Sequence, residues 1–121
     1  MTQQEADNLA LDWIEAWNAH DLDAILSHYH DDVAYTSPFI ASINGDPTGN
    51  IRGKGAVRAY MARALVAYPE LRFRLRSAFA GVNSLIIYYE SVRNLLAAEV
   101  FTLGDDDRFI AVQCHYRPNE G

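Results

Sequence analysis

The feature that most constrains this chain is a change of hydrophobic period at Pro69. Before it, Val57, Tyr60, Met61, Ala64, Leu65 and Tyr68 recur at three- and four-residue steps, which is one stripe of a helix. Proline lacks a backbone N–H and clashes with the preceding turn, so Pro69 stops that helix. After it, Leu71, Phe73 and Leu75 alternate with Glu70, Arg72, Arg74 and Arg76, the pattern of a half-buried strand. Gly81-Val82-Asn83 turns the chain. Leu85 to Val92 is apolar on both faces, as in a central strand. Leu95 to Leu103 reads as a further strand, Gly104-Asp105-Asp106-Asp107 as a hairpin loop, and Phe109 to Tyr116 as the last strand. Helices followed by an antiparallel meander make an α+β chain.

The N-terminal half carries the other helices. Thr2-Gln3-Gln4-Glu5 is a capping box, in which hydroxyl and carboxylate each satisfy an orphan backbone N–H. Ala6, Leu9, Ala10, Trp13 and Trp17 then mark an amphipathic helix over residues 3–18. Asn18-Ala19-His20-Asp21 breaks it. Asp21 caps a short second helix with Leu22, Ile25, Leu26 and Tyr29. Asp31-Asp32 turns into a short strand, Val33 to Ser37, ended by Pro38. Ser42 to Gly53, rich in Gly, Asn, Asp and Pro, reads as a loop before the third helix.

The 121 residues leave room for one domain, spanning 1–121, with one core. A net charge of −6 argues against nucleic acid, whose phosphates require clustered Lys and Arg. Cys114 is the only cysteine, so no internal disulfide forms, which fits the reducing cytoplasm. The first residues, MTQQEADN, lack the basic and apolar runs of a signal peptide. No apolar run approaches the ~20 residues of a membrane helix, so no membrane contact is expected.

Four segments carry a family resemblance: Trp17-Asn18-Ala19-His20-Asp21-Leu22-Asp23, Tyr29-His30-Asp31-Asp32-Val33, Ser37-Pro38, and Gly53 with Ala56-Val57-Arg58-Ala59-Tyr60. With the order of elements, they resemble the nuclear transport factor 2-like superfamily, in its SnoaL-like and ketosteroid isomerase-like branch. The resemblance covers nearly the whole chain. It implies a cone: a curved antiparallel sheet packed against three N-terminal-half helices, with an apolar pocket at the open end. It also implies a homodimer through the outer sheet face. It is poorly specific for function, because the superfamily holds isomerases, dehydratases, cyclases, epoxide hydrolases and plain binding or scaffold domains.

Glu99 is the sharpest candidate. It shares a strand face with Leu95, Ala97, Phe101 and Leu103. Burying its charge there is costly, so its pKa should rise, and the neutral acid can donate a hydrogen bond to a carbonyl or a developing oxyanion. The ketosteroid isomerase branch carries an acidic donor, an Asp, at the matching place. The competing reading puts Glu99 at an edge or mouth, reaching water or an Arg. By the same resemblance, Ser37 stands where the branch has its proton-shuttling Asp, and Trp13 where it has a tyrosine. A lone hydroxyl is a weak base, and an indole N–H donates but cannot exchange a proton as a phenol can. Ordinary steroid isomerisation is therefore not expected, and Ser37 reads best as a strand end bonded to backbone.

Trp13, Trp17, Tyr35, Phe39, Tyr60, Phe73, Tyr88, Phe101 and Tyr116 come from separate elements that the cone would gather around a pocket. Those with polar tips, Trp13, Tyr35, Tyr60, Tyr88 and Tyr116, could orient a ligand. Cys114 reads as a small buried hydrophobe, and it and Ser37 are expected in the pocket wall with these aromatics. His20, His28, His30 and His115 lack the spacing of a metal site, so no metal or cofactor is expected. His20 suits a loop hydrogen bond and His115 the outer face. Three functions stay open: a cofactor-independent isomerase, dehydratase or cyclase using Glu99, a pocket that binds a small apolar or aromatic molecule unchanged, and a scaffold domain whose cavity its own side chains fill.

Overall fold

The capping box forms as its residues predict. In the computed structural model, which describes residues 1–120, the Thr2 hydroxyl accepts from the Glu5 N–H at 3.1 Å and Glu5 Oε1 accepts from the Thr2 N–H at 2.9 Å. Gly121, the last residue of the expected domain, lies outside the described residues. Helix α1, Gln3–Asn18, buries Ala6, Ala10, Trp13, Ile14 and Trp17. Helix α2, Leu22–Leu26, is capped by the Asp21 carboxylate, which accepts from the Ala24 N–H at 3.1 Å. It stops short of Tyr29, which the sequence assigned to it. Tyr29 instead opens strand β1, Tyr29–Thr36, where its register partner is Phe109.

Pro38 ends that strand and also begins a helix. Helix α3, Pro38–Asn44, has the proline in its first turn, where the missing N–H costs nothing and the fixed φ is already helical. Gly45, at φ 69°, closes it. The expected loop over 42–53 thus holds the end of a helix and a short strand β2, Asn50–Arg52. A true turn remains between them. Gly49 sits at φ 69°, and a Cβ there would meet the Ser37 carbonyl oxygen at 3.2 Å. Helix α4, Lys54–Ala67, buries Val57, Tyr60, Met61 and Ala64. Three helices therefore reach seven residues or more, and α2 is an additional single turn.

The sheet completes the layer beneath them. Strands β3 (Arg74–Ala80), β4 (Ser84–Glu90), β5 (Leu95–Leu103) and β6 (Phe109–Pro118) form the antiparallel meander. The full order is β2-β1-β6-β5-β4-β3, a curved open sheet. One junction is not antiparallel: β1 runs parallel to β6, with Tyr35 opposite Val112. Strand β3 also starts later than the alternation suggests. Leu71 and Phe73 are buried, but the Asn18 side chain takes both backbone groups of Phe73, at 2.7 and 2.9 Å. The His20 Nε2 meets the Leu71 carbonyl at 2.9 Å, the loop role expected for it. The inner face of the sheet carries buried Leu85, Ile87, Tyr89, Ala97, Phe101 and Val112. The outer face leaves Phe79 and Ile110 exposed.

Candidate functional site

Glu99 lies mid-strand in β5, opposite Ile87 on one side and Cys114 on the other. Its two-residue alternation with Ala97 and Phe101 turns it inward, and only 1% of it is exposed. The Tyr89 hydroxyl donates to Oε1 at 2.6 Å, while Oε2 has no hydrogen-bond partner. Burial pushes its pKa from 4.5 to about 7, against the opposing pull of hydrogen bonds from Tyr89 and Cys114. Near neutral pH the group is thus present both as an acid that can donate and as a carboxylate that can accept.

The groups around it stay protonated. Burial raises the phenols of Tyr29, Tyr35, Tyr60, Tyr89 and Tyr116, and nearness to Glu99 raises each further. Burial likewise raises the Cys114 thiol well above its ordinary range, which leaves it unreactive, and it donates to the Tyr35 hydroxyl at 3.6 Å. Ser37 is 1% exposed. Its hydroxyl accepts from the Phe39 N–H at 3.2 Å as the cap of α3 and also neighbours Tyr60, Tyr116 and Cys114. Glu99 is the one carboxylate against which these groups are gathered, and no second base stands beside Ser37.

A cavity of about 40 Å³ opens in front of Glu99. Of the sequence-derived candidates, Trp17, Tyr35, Phe39, Tyr60, Phe73, Tyr116 and Glu99 line it. Tyr89 lines it as well. That volume holds a water molecule or two, and not a ring system. Aromatic rings narrow the mouth. Phe39 stands edge-on to Tyr116 at 4.8 Å and to Tyr68 at 6.0 Å, and the Arg93 guanidinium lies 5.9 Å from the Phe39 ring.

Five candidates are placed elsewhere, Ser37 among them, buried as the cap of α3 but outside the lining. Trp13 and Phe101 are fully buried in a floor of rings, 5.5 Å apart, and do not reach the cavity. The Trp13 N–H is committed to the Tyr29 hydroxyl at 3.0 Å. Cys114 sits beside Glu99 on the neighbouring strand, buried but outside the lining. Tyr88 is corrected to the outer face: it pairs with Ala98 and has the Arg76 guanidinium 5.7 Å from its ring. Strand parity decides this, since Tyr89, opposite Ala97, shares the inner face with Glu99. Tyr89 was therefore the residue to find, and the inward parity of Leu85 and Ile87 was the signal. Tyr29, read as helical, lies in the buried floor with Trp13 and is not part of the lining. Among the described residues no group of three His, Cys, Asp or Glu could hold a metal, and His115 lies exposed on the outer face with Nδ1 at 3.2 Å from the Ala98 carbonyl.

The curved sheet, the helices over it and the inward carboxyl define a cone of the nuclear transport factor 2-like kind. Residues 10–112 match the model of the SnoaL-like domain, and the chain belongs to that family. A SnoaL-like protein of unknown function from Burkholderia thailandensis is 46% identical, with 96% of this chain and 97% of that one covered and a TM-score of 0.92. A candidate isomerase of the SnoaL-like family from Agrobacterium tumefaciens shares the fold at 17% identity, with 97% and 99% covered and a TM-score of 0.76. A candidate polyketide cyclase from Sinorhizobium meliloti does so at 12% identity, with 95% and 100% covered and a TM-score of 0.74. No curated protein matches the sequence. No described helix is long and apolar enough to cross a membrane.

Proposed function

We propose that this SnoaL-like domain, acting as one unit over 1–121, binds a small apolar or aromatic molecule in its cone. There it exchanges a proton with the molecule through Glu99, without a cofactor, in an isomerisation, dehydration or cyclisation. The observation that carries this is a fully buried carboxyl with one unpartnered oxygen and a pKa of about 7. A protein retains such a group at a cost in stability, and perturbed carboxyls of this kind concentrate at functional sites. The candidate isomerase and candidate polyketide cyclase that share the fold support the same range of reactions. Entry of a ring requires the mouth rings Phe39 and Tyr68 to move, because the cavity is only about 40 Å³.

That small volume also favours a second reading, a scaffold or binding domain plugged by its own aromatic side chains. Thermal melting with polyketide-like and terpenoid-like compounds separates the two, since a ligand of the native state raises stability by mass action. The enzyme reading expects at least one compound to raise the melting temperature and to be turned over. It expects Glu99→Gln to lower that turnover by roughly a hundredfold or more. A Glu99→Gln protein with full turnover ends the proton-exchange role, and a panel that moves no melting temperature favours the scaffold.

We further propose a cytoplasmic homodimer joined through the outer sheet face, where Phe79 and Ile110 are exposed apolar side chains. A single-copy mass in sedimentation equilibrium counts against it.

A further inference from the structure

We infer that the indole N–H of Trp17 is the donor that holds the ligand's acceptor oxygen, and that the ligand is a neutral, apolar carbonyl compound. The inference deepens the proposed function and rests on the pocket taking a small molecule.

Trp17 is 4% exposed, lines the cavity, and its Nε1 has no hydrogen-bond partner. Buried N–H groups are nearly always paired, and an orphan is costly. The helix does provide for its other indole: Trp13, one turn earlier, donates to Tyr29. The Trp17 ring is also held in place. It packs edge-on to Trp13 at 6.0 Å and tilted against Phe73 at 5.3 Å. The next residue, Asn18, is fastened to the backbone of Phe73. The indole is thus held rigidly at the cavity wall, with its N–H unpaired.

A second orphaned side-chain atom, Glu99 Oε2, belongs to a residue that lines the same cavity. The two differ in chemistry. An indole N–H only donates and does not titrate, so it can fix an oxygen but cannot move a proton. Glu99 can do either. A ligand that satisfies both therefore offers an acceptor oxygen to Trp17 and an exchangeable proton, or a second acceptor, to Glu99.

Charge selects the class further. Trp17, Tyr35, Tyr60, Tyr89 and Tyr116 line the cavity with Glu99, and among the described residues no Lys or Arg does, the Arg93 guanidinium staying outside it beside Phe39. An anionic ligand would lose its water without gaining a counter-charge and would face the Glu99 carboxylate. A neutral carbonyl needs only a donor. Trp17 is thus a positioning residue whose removal costs orientation, while Glu99 carries the proton.

The two indole N–H signals of the full chain, labelled with ¹⁵N, report this directly. The Trp13 signal is assigned through its contact with Tyr29. The probes are 1-tetralone and tetralin, which share a ring frame and differ by the carbonyl. Tetralone should move the Trp17 proton downfield, tetralin should not, and Trp13 should stay in place with both. Equal movement by the two probes, or none by tetralone up to its solubility limit, overturns the inference. The Glu99 side-chain carboxyl signal, followed in the same samples, separates the failures. A Glu99 response without a Trp17 response removes the donor role and leaves the proposed function standing, while silence at both removes both.

Discussion

Trp13 and Trp17 stand one turn apart on the buried side of α1, and their surroundings could hardly differ more. Trp13 meets Phe73, Tyr89 and Phe101 at ring distances of 5.2–5.8 Å and has its N–H satisfied. Trp17 meets Phe73 and Trp13, then a cavity, and its N–H is left open. The helix treats both alike. The difference comes from what lies opposite. Around Trp13, β1, β5 and β6 bring Tyr29, Phe101 and Phe109 together, with the last two rings 4.4 Å apart. Around Trp17 the walls come from α3, α4 and the turn at Val92, and they do not close completely. A cone has a packed apex and an open end, and one helix spans both.

The comparison breaks most readily at Trp13. Trp13→Ala removes a fully buried ring from the floor and should cost about 3–5 kcal/mol in urea denaturation. A cost under about 1 kcal/mol would mean that the floor is no better packed than the wall.

Glu99 sharpens it next. Its native pKa of about 7 lies above the ordinary 4.5, so the native state binds that proton more tightly than the unfolded chain does. The resulting stabilisation is complete below about pH 4.5 and is lost as the pH rises to about 7, a total near 3 kcal/mol. Glu99→Gln keeps the shape and removes the charge. Chemical denaturation should find the variant more stable than the wild type at pH 8, by up to about 3 kcal/mol, and nearly equal at pH 4. A difference that does not change with pH would mean that Glu99 titrates like a surface carboxylate.

The legible parts were those set by local chemistry. The capping box, the stripe of α4, the meander and the inward parity of Glu99 all follow from spacings within a few residues. The sheet's one parallel junction did not show, because strand neighbours across the chain leave no local trace. Tyr29 was lost to the helix for that reason: its place is fixed by Phe109, eighty residues away in sequence. Helix α3 hid behind Pro38, which ends a strand and starts a helix equally well. In the site, the carboxyl and most of the aromatic lining could be read from the chain. Which indole was already satisfied could not, since that depends on a tyrosine hydroxyl arriving from another element.

The sheet order has a consequence for how the molecule comes together. Strand β6 is the last of the six in chain order, yet it lies between β1 and β5. The β1–β2 pair has no other strand to join, so the early part of the chain must wait for its neighbour. During synthesis, α1 and β1 emerge long before the strand that fixes them, and the Glu99 chamber cannot be walled until residues 109–118 are present. Long loops closed late make folding slow relative to helical chains of the same size. Over that interval Trp13, Trp17 and Tyr29 are exposed together near the start of the chain. The order of the strands thus sets the period in which a nascent molecule is most open to wrong partners.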